Sequence, residues 1–153
     1  MNPSLLPSDE HQDIRDAVRA LCAGFDSRYW QQVDEARAYP EAFVDALTQA
    51  GWLAALIPTQ FGGSGLDLTQ ASVILEEINL SGGNAGVCHG QMYNMGTLLR
   101  HGSAEQKQRF LPRIASGEWR LQSMAVTEPD NGSDTTRLKT TAIKRNDRYV
   151  VQG

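Results

Sequence analysis

A short polar segment, Thr127 to Asp134 (TEPDNGSD), holds the residues of this 153-residue sequence that are best suited to chemistry. It follows Trp119 to Thr127, where apolar and polar residues alternate as they do in a β-strand. Pro129 cannot donate a hydrogen bond to a neighbouring strand, so strand pairing is predicted to end there. Asn131-Gly132 favours positive φ angles, which would turn backbone N–H groups outward as an anion-binding nest beside the Ser133 hydroxyl. Such a site, or simply a well-formed turn after a strand, explains these residues.

Two cysteines and two glutamates are the other residues whose types suit catalysis. Cys22 and Cys88 form no Cys-x-x-Cys pair and have no histidine at the spacing of a zinc site. They are predicted to be buried, reduced thiols. Cys88 precedes His89, but adjacency in sequence is not catalytic geometry. Glu76 and Glu77 are predicted to lie on a helix surface, which does not favour a catalytic role, and no metal site is expected.

Five helices are predicted before Gly117, because apolar residues recur there at helical spacing. Glu76 and Glu77 are predicted to face away from the core. The glycines of the fourth helix, Gly86, Gly90 and Gly96, predict close approach by a neighbour or a ligand, or a kink. The first predicted helix is capped by Ser8 and has an apolar face from Ile14 to Phe25, and the second runs from Pro40 to Gly51. The third is capped by Thr69 and buries Val73, Ile74, Leu75 and Ile78. The fourth runs from Asn84 to Arg100, and the fifth runs from a Ser103–Gln106 capping box to Gly117.

After Gly117 the pattern becomes that of β-strands. Besides Trp119 to Thr127, strands are predicted at Leu138 to Lys144 and Arg148 to Val151, joined by a turn at Arg145 to Asp147. Three strands with nothing on their far face make a marginal sheet, so we expect the chain to be truncated at its end. The predicted fold class is α+β, with an all-α region followed by a β region.

The composition is that of a globular protein. Hydrophobic residues make up 41% and charged residues 21%, which argues against a disordered chain. The net charge of −4 divides into −7 on residues 1–100 and +3 on residues 101–153, a pattern that predicts no nucleic-acid partner. The basic part could face an anionic ligand or be a solvated surface. No apolar run approaches 18 residues and no secretory signal is visible, so we predict a cytoplasmic protein without a membrane span.

The sequence resembles the acyl-CoA dehydrogenase family. Val126 to Asp134 matches the family's T-E-P-x-x-G-S-D pattern. Upstream, Gly102 to Lys107 with Leu111-Pro112 and Ser116 to Glu118 is similar to the family's helix that leads into this segment. Pro58 with Gly62-Gly63 is similar to the family's loop after the second helix, and the matches follow one another in the family's order over nearly the whole chain.

The resemblance implies an all-α N-terminal helical bundle at 1–118, followed at 119–153 by the first strands of a β-barrel-like middle domain, truncated. In this family FAD lies between the middle domain and a C-terminal four-helix domain, so the resemblance implies FAD as cofactor. Backbone groups near Met124 and Val126 would contact the isoalloxazine, Thr127 would bond the pyrimidine side, and Ser133 would contact phosphate. The implied cofactor-binding residues are Met124, Ala125, Val126, Thr127, Glu128, Pro129, Gly132 and Ser133.

The implied reaction is αβ-desaturation of an acyl-CoA thioester. A carboxylate base removes an α proton, the flavin accepts a hydride from the β carbon, and the electrons pass to an electron-transfer flavoprotein. The implied substrate-binding residues are Ser133 and three residues of the glycine-containing fourth helix: His89, Met92 and Tyr93. For those three, an ordinary role as helix side chains stays open. Because complete members of the family are often tetrameric, we expect a homo-oligomer.

The family's catalytic glutamate lies in the C-terminal domain, which this sequence does not contain, and Glu128 belongs to the motif and is not expected to be the base. The family's tryptophan-containing flavin segment follows the position of Gly153. We therefore expect the complete protein to be a dehydrogenase and these 153 residues alone to be inactive. Two alternatives stay open: a flavin oxidase or monooxygenase of the same superfamily, and a non-catalytic truncated remnant that acts as an interaction module.

Overall fold

A computed structural model describes residues 10–153 of the chain. They form two compact units, one that ends at Gln122 and one that comprises Ser123–Gly153. The first unit is all-α and the second contains one antiparallel sheet, so the predicted α+β class is confirmed. The elements are α1 Gln12–Cys22, α2 Ser27–Glu35, α3 Glu41–Gln49, α4 Leu68–Leu80, α5 Gly86–His101, α6 Ala104–Ala115, β1 Thr141–Arg145 and β2 Arg148–Gln152, with short 3₁₀ helices at Trp52–Ala54, Thr59–Phe61 and Thr135–Arg137.

The core of the first unit consists of two apolar clusters. The larger cluster joins α1, α3, α4 and the first half of α5, and the smaller one joins α6 to the second half of α5. Among the residues described, no helix is long and apolar enough to cross a membrane. The fully buried side chains that anchor the clusters are Val18, Phe43, Leu47, Leu53, Ile74 and Ile78 in the first and Ile57, Met95 and Leu111 in the second.

Helix α2 is absent from the prediction, which placed only the loose end of α1 in this region. Asp26 caps the helix by accepting a hydrogen bond from the Tyr29 backbone N–H at 3.0 Å. No side chain of α2 is fully buried, so the helix lacks the apolar stripe that reveals a helix in sequence. Its position depends on aromatic packing, since the Trp30 ring lies 4.9 Å from the Phe43 ring, edge to face.

The predicted helix ends are confirmed at three places and corrected at one. Gly51 and Gly117 adopt left-handed conformations (φ of 79° in both) next to α3 and α6, and the Ser103–Gln106 capping box opens α6. Helix α4 is capped by Asp67, in a second capping box, and the prediction of Thr69 was wrong because the helix begins two residues earlier than predicted. The predicted cap Ser8 lies outside the described residues.

The prediction that Glu77 faces away from the core was wrong. Its side chain is 2% exposed and receives the Arg15 guanidinium at 2.9 Å and the Arg19 guanidinium at 3.0 Å. Glu76 is 40% exposed and pairs with Arg15 at 2.7 Å. These ion pairs join α1 to α4, and the bonds to Glu77 and Glu76 raise the pKa of Arg15 above its ordinary value. A carboxylate can be buried here because two cations compensate its charge.

The prediction of a strand at Trp119 to Thr127 was also wrong. No residue of this stretch belongs to a strand, and the part before Ser123 bonds instead to α5. The Leu121 N–H donates to the Gln91 side-chain oxygen at 3.5 Å, and the Asn94 amide donates to the Leu121 carbonyl at 3.4 Å. Helix side chains take the hydrogen bonds that a neighbouring strand would supply, so the alternating pattern does not produce a β ladder.

The second unit contains a β-hairpin. Strands β1 and β2 pair antiparallel, with Ile143 opposite Val150, and Asn146 takes a left-handed conformation (φ 57°) at the predicted turn. β1 begins three residues later than predicted, because the N–H groups of Lys139 and Thr140 donate to the Glu128 carboxylate and not to a strand. The sheet therefore has two strands rather than the three predicted.

Candidate functional site

The segment Thr127 to Asp134 forms a compact turn in the second unit. Glu128 and Asn131 exchange backbone hydrogen bonds at 2.9 and 3.2 Å, which closes the turn around Pro129. The Asn131 side chain donates to the Arg137 carbonyl at 3.0 Å, and Asp134 caps the 3₁₀ helix that follows. The motif therefore has its own internal framework, independent of any ligand.

The Glu128 carboxylate ties this turn to the start of the hairpin. It accepts the Thr140 hydroxyl at 2.6 Å, the Thr140 N–H at 2.7 Å and the Lys139 N–H at 2.8 Å. The Thr140 hydroxyl and these backbone donors lower the pKa of Glu128 from 4.5 to about 2. A cleft of about 510 Å³ lies beside Glu128, and Thr140 and Gln152 also line it. Since all its close partners are donors, Glu128 is an anchor of the loop rather than a proton acceptor.

We expect the loop anchored by Glu128 to loosen in acid. Because the folded pKa is lowered, the stabilisation is fully present above about pH 4.5 and is lost as the pH falls toward 2. Amide hydrogen exchange measured by NMR as a function of pH, and corrected for the intrinsic exchange rate, checks this at Lys139 and Thr140. The protection of both amides should fall between these pH values while that of core amides in α5 persists.

Two variants identify the group that titrates. Glu128→Gln should expose the same two amides at neutral pH, because a neutral amide is a weaker acceptor than a carboxylate. Asp130→Asn is the control: Asp130 is exposed and pairs only with the Lys139 ammonium, at 3.0 Å, among the contacts of the described chain. Unchanged protection in Glu128→Gln would contradict the assignment.

The predicted anion-binding nest at Asn131-Gly132 is not formed. Neither residue has a positive φ, and a Cβ at Gly132 would meet nothing within 4 Å. The groups left to contact a flavin are therefore free backbone groups and side-chain hydroxyls rather than the N–H groups of a nest. Within the residues described, the backbone groups of 124–127 make no hydrogen bond to other backbone, and the Thr127 and Ser133 side chains are exposed. This stretch offers a row of free donors and two hydroxyl groups.

The three predicted substrate-binding residues of α5 lie together on a groove of the first unit. His89 stacks on Tyr93 with 6.0 Å between ring centroids, and Met92, which is 6% exposed, lines the same cleft. The groove consists of two adjoining clefts of about 240 and 280 Å³. We call it the α4–α5 groove. Both clefts are lined by Leu56, Leu68, Met92 and Tyr93, the first also by Ala71, Ser72, Leu75 and His89, and the second also by Gly96, Thr97, Arg100 and His101.

Two of the three α5 glycines have close neighbours, as the sequence predicted. A Cβ at Gly86 would lie 2.9 Å from the Asn84 side-chain oxygen, and a Cβ at Gly90 would make van der Waals contact, at 3.4 Å, with the Gln122 carbonyl oxygen. Gly96 has nothing within 4 Å and lines the α4–α5 groove. The predicted burial of Cys22 and Cys88 is confirmed, and burial raises the pKa of Cys88 to about 12, which makes it a poor nucleophile.

Sequence reasoning missed two sets of residues around these sites. Lys139 and Thr140, which bind Glu128, were assigned to a strand. Arg100 and His101 were considered only as the end of a helix, although they line one end of the groove. Their spacing of seven and eight residues from Tyr93, about two helical turns, was the one available signal that they share a face with it.

The chain is similar to known proteins over almost its whole length. Residues 8–118 match the family model "Acyl-CoA dehydrogenase, N-terminal domain". The chain is 31% identical over 147 residues to cyclohex-1-ene-1-carbonyl-CoA dehydrogenase of Syntrophus aciditrophicus, covering 95% of this chain and 36% of that protein. It thus spans little more than a third of this curated relative.

Solved structures give the same result. An acyl-CoA dehydrogenase from Geobacillus kaustophilus superposes with a TM-score of 0.81 at 28% identity, over 97% of this chain and 39% of that one. An acyl-CoA dehydrogenase from Bacillus anthracis, complexed with FAD, superposes with a TM-score of 0.78 at 26% identity, over 100% of this chain and 26% of that one. Family model, relatives and fold agree: the chain belongs to the acyl-CoA dehydrogenase family and contains its N-terminal helical domain and the start of its β domain.

Proposed function

We propose that the complete protein is an FAD-dependent acyl-CoA dehydrogenase that desaturates an acyl-CoA thioester between its α and β carbons. The observation that carries the proposal is the segment Met124 to Ser133. It holds the T-E-P-x-x-G-S-D residues in an ordered turn that leaves its preceding backbone groups unpaired, in a chain of this family. We also propose that one domain spans residues 1–118 and that the next begins at residue 119.

The donors of this segment fit a flavin. The backbone groups of 124–127 and the Thr127 hydroxyl are the kind of donors that bond the carbonyls and nitrogens of an isoalloxazine ring. The exposed Ser133 hydroxyl suits a phosphate oxygen. Of the other proposed contacts, Ala125 and Gly132 would allow close approach and Pro129 would end the segment. Glu128 serves by holding the turn, through its bonds to Lys139 and Thr140.

Each unit contributes its own part to the chemistry. The residues of Met124 to Ser133 would hold FAD, which would supply the acceptor for a hydride from the β carbon. Neutral donors at Thr127 and its neighbours stabilise negative charge on the ring without requiring a proton transfer. In the first unit, the apolar α4–α5 groove beside His89, Met92 and Tyr93 would hold an acyl chain and exclude water from it. Glu128 is not the base, because a carboxylate with a pKa of about 2 is too weak a proton acceptor. The base is proposed to lie outside this chain.

The remaining parts of the proposal concern partners and place of action. An electron-transfer flavoprotein would accept the electrons, the complete protein would form a homo-oligomer, and the reaction would take place in the cytoplasm. The electron acceptor and the homo-oligomer are what the resemblance to the family implies, and the cytoplasmic location is a prediction from the sequence alone. They are tested separately from flavin binding, by acceptor-dependent assay of a longer chain and by its mass in solution.

The first experiment measures the binding of FAD to the second unit. We expect the fluorescence of FAD to be quenched saturably by the 153-residue chain. The double variant Thr127→Ala/Ser133→Ala should bind about ten-fold more weakly, since it loses two hydrogen bonds of about 0.5–1.5 kcal/mol each. Ser27→Ala, which removes an exposed hydroxyl from α2 of the first unit, is the control and should bind normally. Equal affinities of the double variant and the parent chain would contradict the assignment of Thr127 and Ser133.

A further inference from the structure

The α4–α5 groove changes character along its length. At one end the lining is apolar, with Leu75 and Ala71 of α4 against Met92 of α5. At the other end the lining reaches Arg100 and His101 in the last turn of α5. Met92 and Arg100 are eight residues apart, which is roughly 12 Å along a helix. The groove is thus long enough for an extended alkyl chain with a polar group at one end.

The positive charge at this end has no acidic counterpart in the groove. Neither cleft is lined by a carboxylate, and α5 contains no aspartate or glutamate. Within residues 10–153, no ion pair is formed by Arg100. The His101 imidazole, which lines the same cleft, adds a hydrogen-bond donor. An anionic group of a ligand would therefore meet a cation that no protein carboxylate neutralises.

We propose that the α4–α5 groove binds an acyl group that ends in a carboxylate, with the carboxylate at Arg100 and His101. This inference rests on the proposed function in one respect, that an acyl chain occupies the groove. The apolar residues Leu56, Leu68 and Met92 line both clefts and so continue up to the cationic end. A carboxylate attached directly to an alkyl chain fits this arrangement. A coenzyme A phosphate does not, because a polar arm separates it from the acyl chain.

The test is an NMR titration of the 153-residue chain with octanoate and with octanamide, its uncharged counterpart. We expect both to shift the resonances of Leu68, Met92 and Tyr93, with octanoate binding about five-fold more tightly at low salt, the range of an exposed ion pair. The variant Arg100→Gln/His101→Gln should bind the two probes equally. Leu68→Ala, a change at a side chain that is 72% exposed, should weaken both probes without unfolding the chain.

Arg28→Gln is the matched control, since Arg28 is an exposed arginine of α2 that does not line the groove. It should retain the preference for octanoate. Equal binding of the two probes by the parent chain would overturn the proposal, and so would a preference that survives in Arg100→Gln/His101→Gln. Displacement of octanoate by coenzyme A alone, with shifts at Arg100, would assign these residues to a phosphate instead. Since no flavin is present, the outcome is independent of the FAD titration.

Discussion

Replacing Glu77 by alanine is expected to lower the free energy of unfolding by about 3–5 kcal/mol, the cost of breaking a buried ion pair. Glu77 is 2% exposed and accepts hydrogen bonds from both Arg15 and Arg19. Its removal leaves the nearly buried Arg15 with less compensating charge and removes ion pairs that join α1 to α4. Urea unfolding followed by circular dichroism measures the change, with an unchanged slope showing that the unfolded state is not altered.

Glu76→Ala is the control in the same cluster. Glu76 also pairs with Arg15, but its side chain is 40% exposed, so its loss should cost no more than about 1 kcal/mol. The burial of the carboxylate, and not the number of its ion pairs, is therefore expected to decide which of the two variants loses more stability. If Glu77→Ala were as stable as Glu76→Ala, the buried position of Glu77 between α1 and α4 would be wrong.

Gly63→Ala is expected to lower the free energy of unfolding by about 3 kcal/mol, at the upper end of the range for overpacking. A Cβ on Gly63 would overlap the carbonyl oxygen and the Cβ of Ile57, which is itself fully buried. The loop would have to move away, and the 2.8 Å hydrogen bond from the Gly65 N–H to the Ile57 carbonyl would break. Thermal and urea unfolding of the variant check this.

Gly96→Ala is expected to raise the free energy of unfolding, in contrast to Gly63→Ala. Gly96 lies inside α5, and a Cβ at this position would have no neighbour within 4 Å, so alanine should add up to about 1 kcal/mol of stability. The pair separates the steric cost at Gly63 from the general effect of replacing glycine. Equal effects of Gly63→Ala and Gly96→Ala would contradict the close packing of the loop on Ile57.

Local signals explain most of what could be predicted for this protein. The helices with apolar stripes, α1, α3, α4, α5 and α6, follow from residues a few positions apart, and so do the Ser103–Gln106 box, the left-handed Gly51 and the turn at Asn146. The family is equally readable, because the T-E-P-x-x-G-S-D pattern and the glycines around it are contiguous in the chain. Each of these depends on interactions within one element or turn, so no knowledge of the packing is needed.

Contacts between distant residues decided the rest. Glu77 has the sequence context of a surface residue and is buried only because Arg15 and Arg19, about sixty positions away, supply its partners. Trp119 to Gln122 alternates like a strand but bonds to side chains of α5, and Glu128 became a loop anchor because Thr140 lies beside it. The sequence by itself determined the family and the helices with clear apolar faces. The tertiary structure alone decided the burial of charge, the two-stranded sheet and the cationic end of the groove, since a side chain's environment depends on neighbours that are remote along the chain.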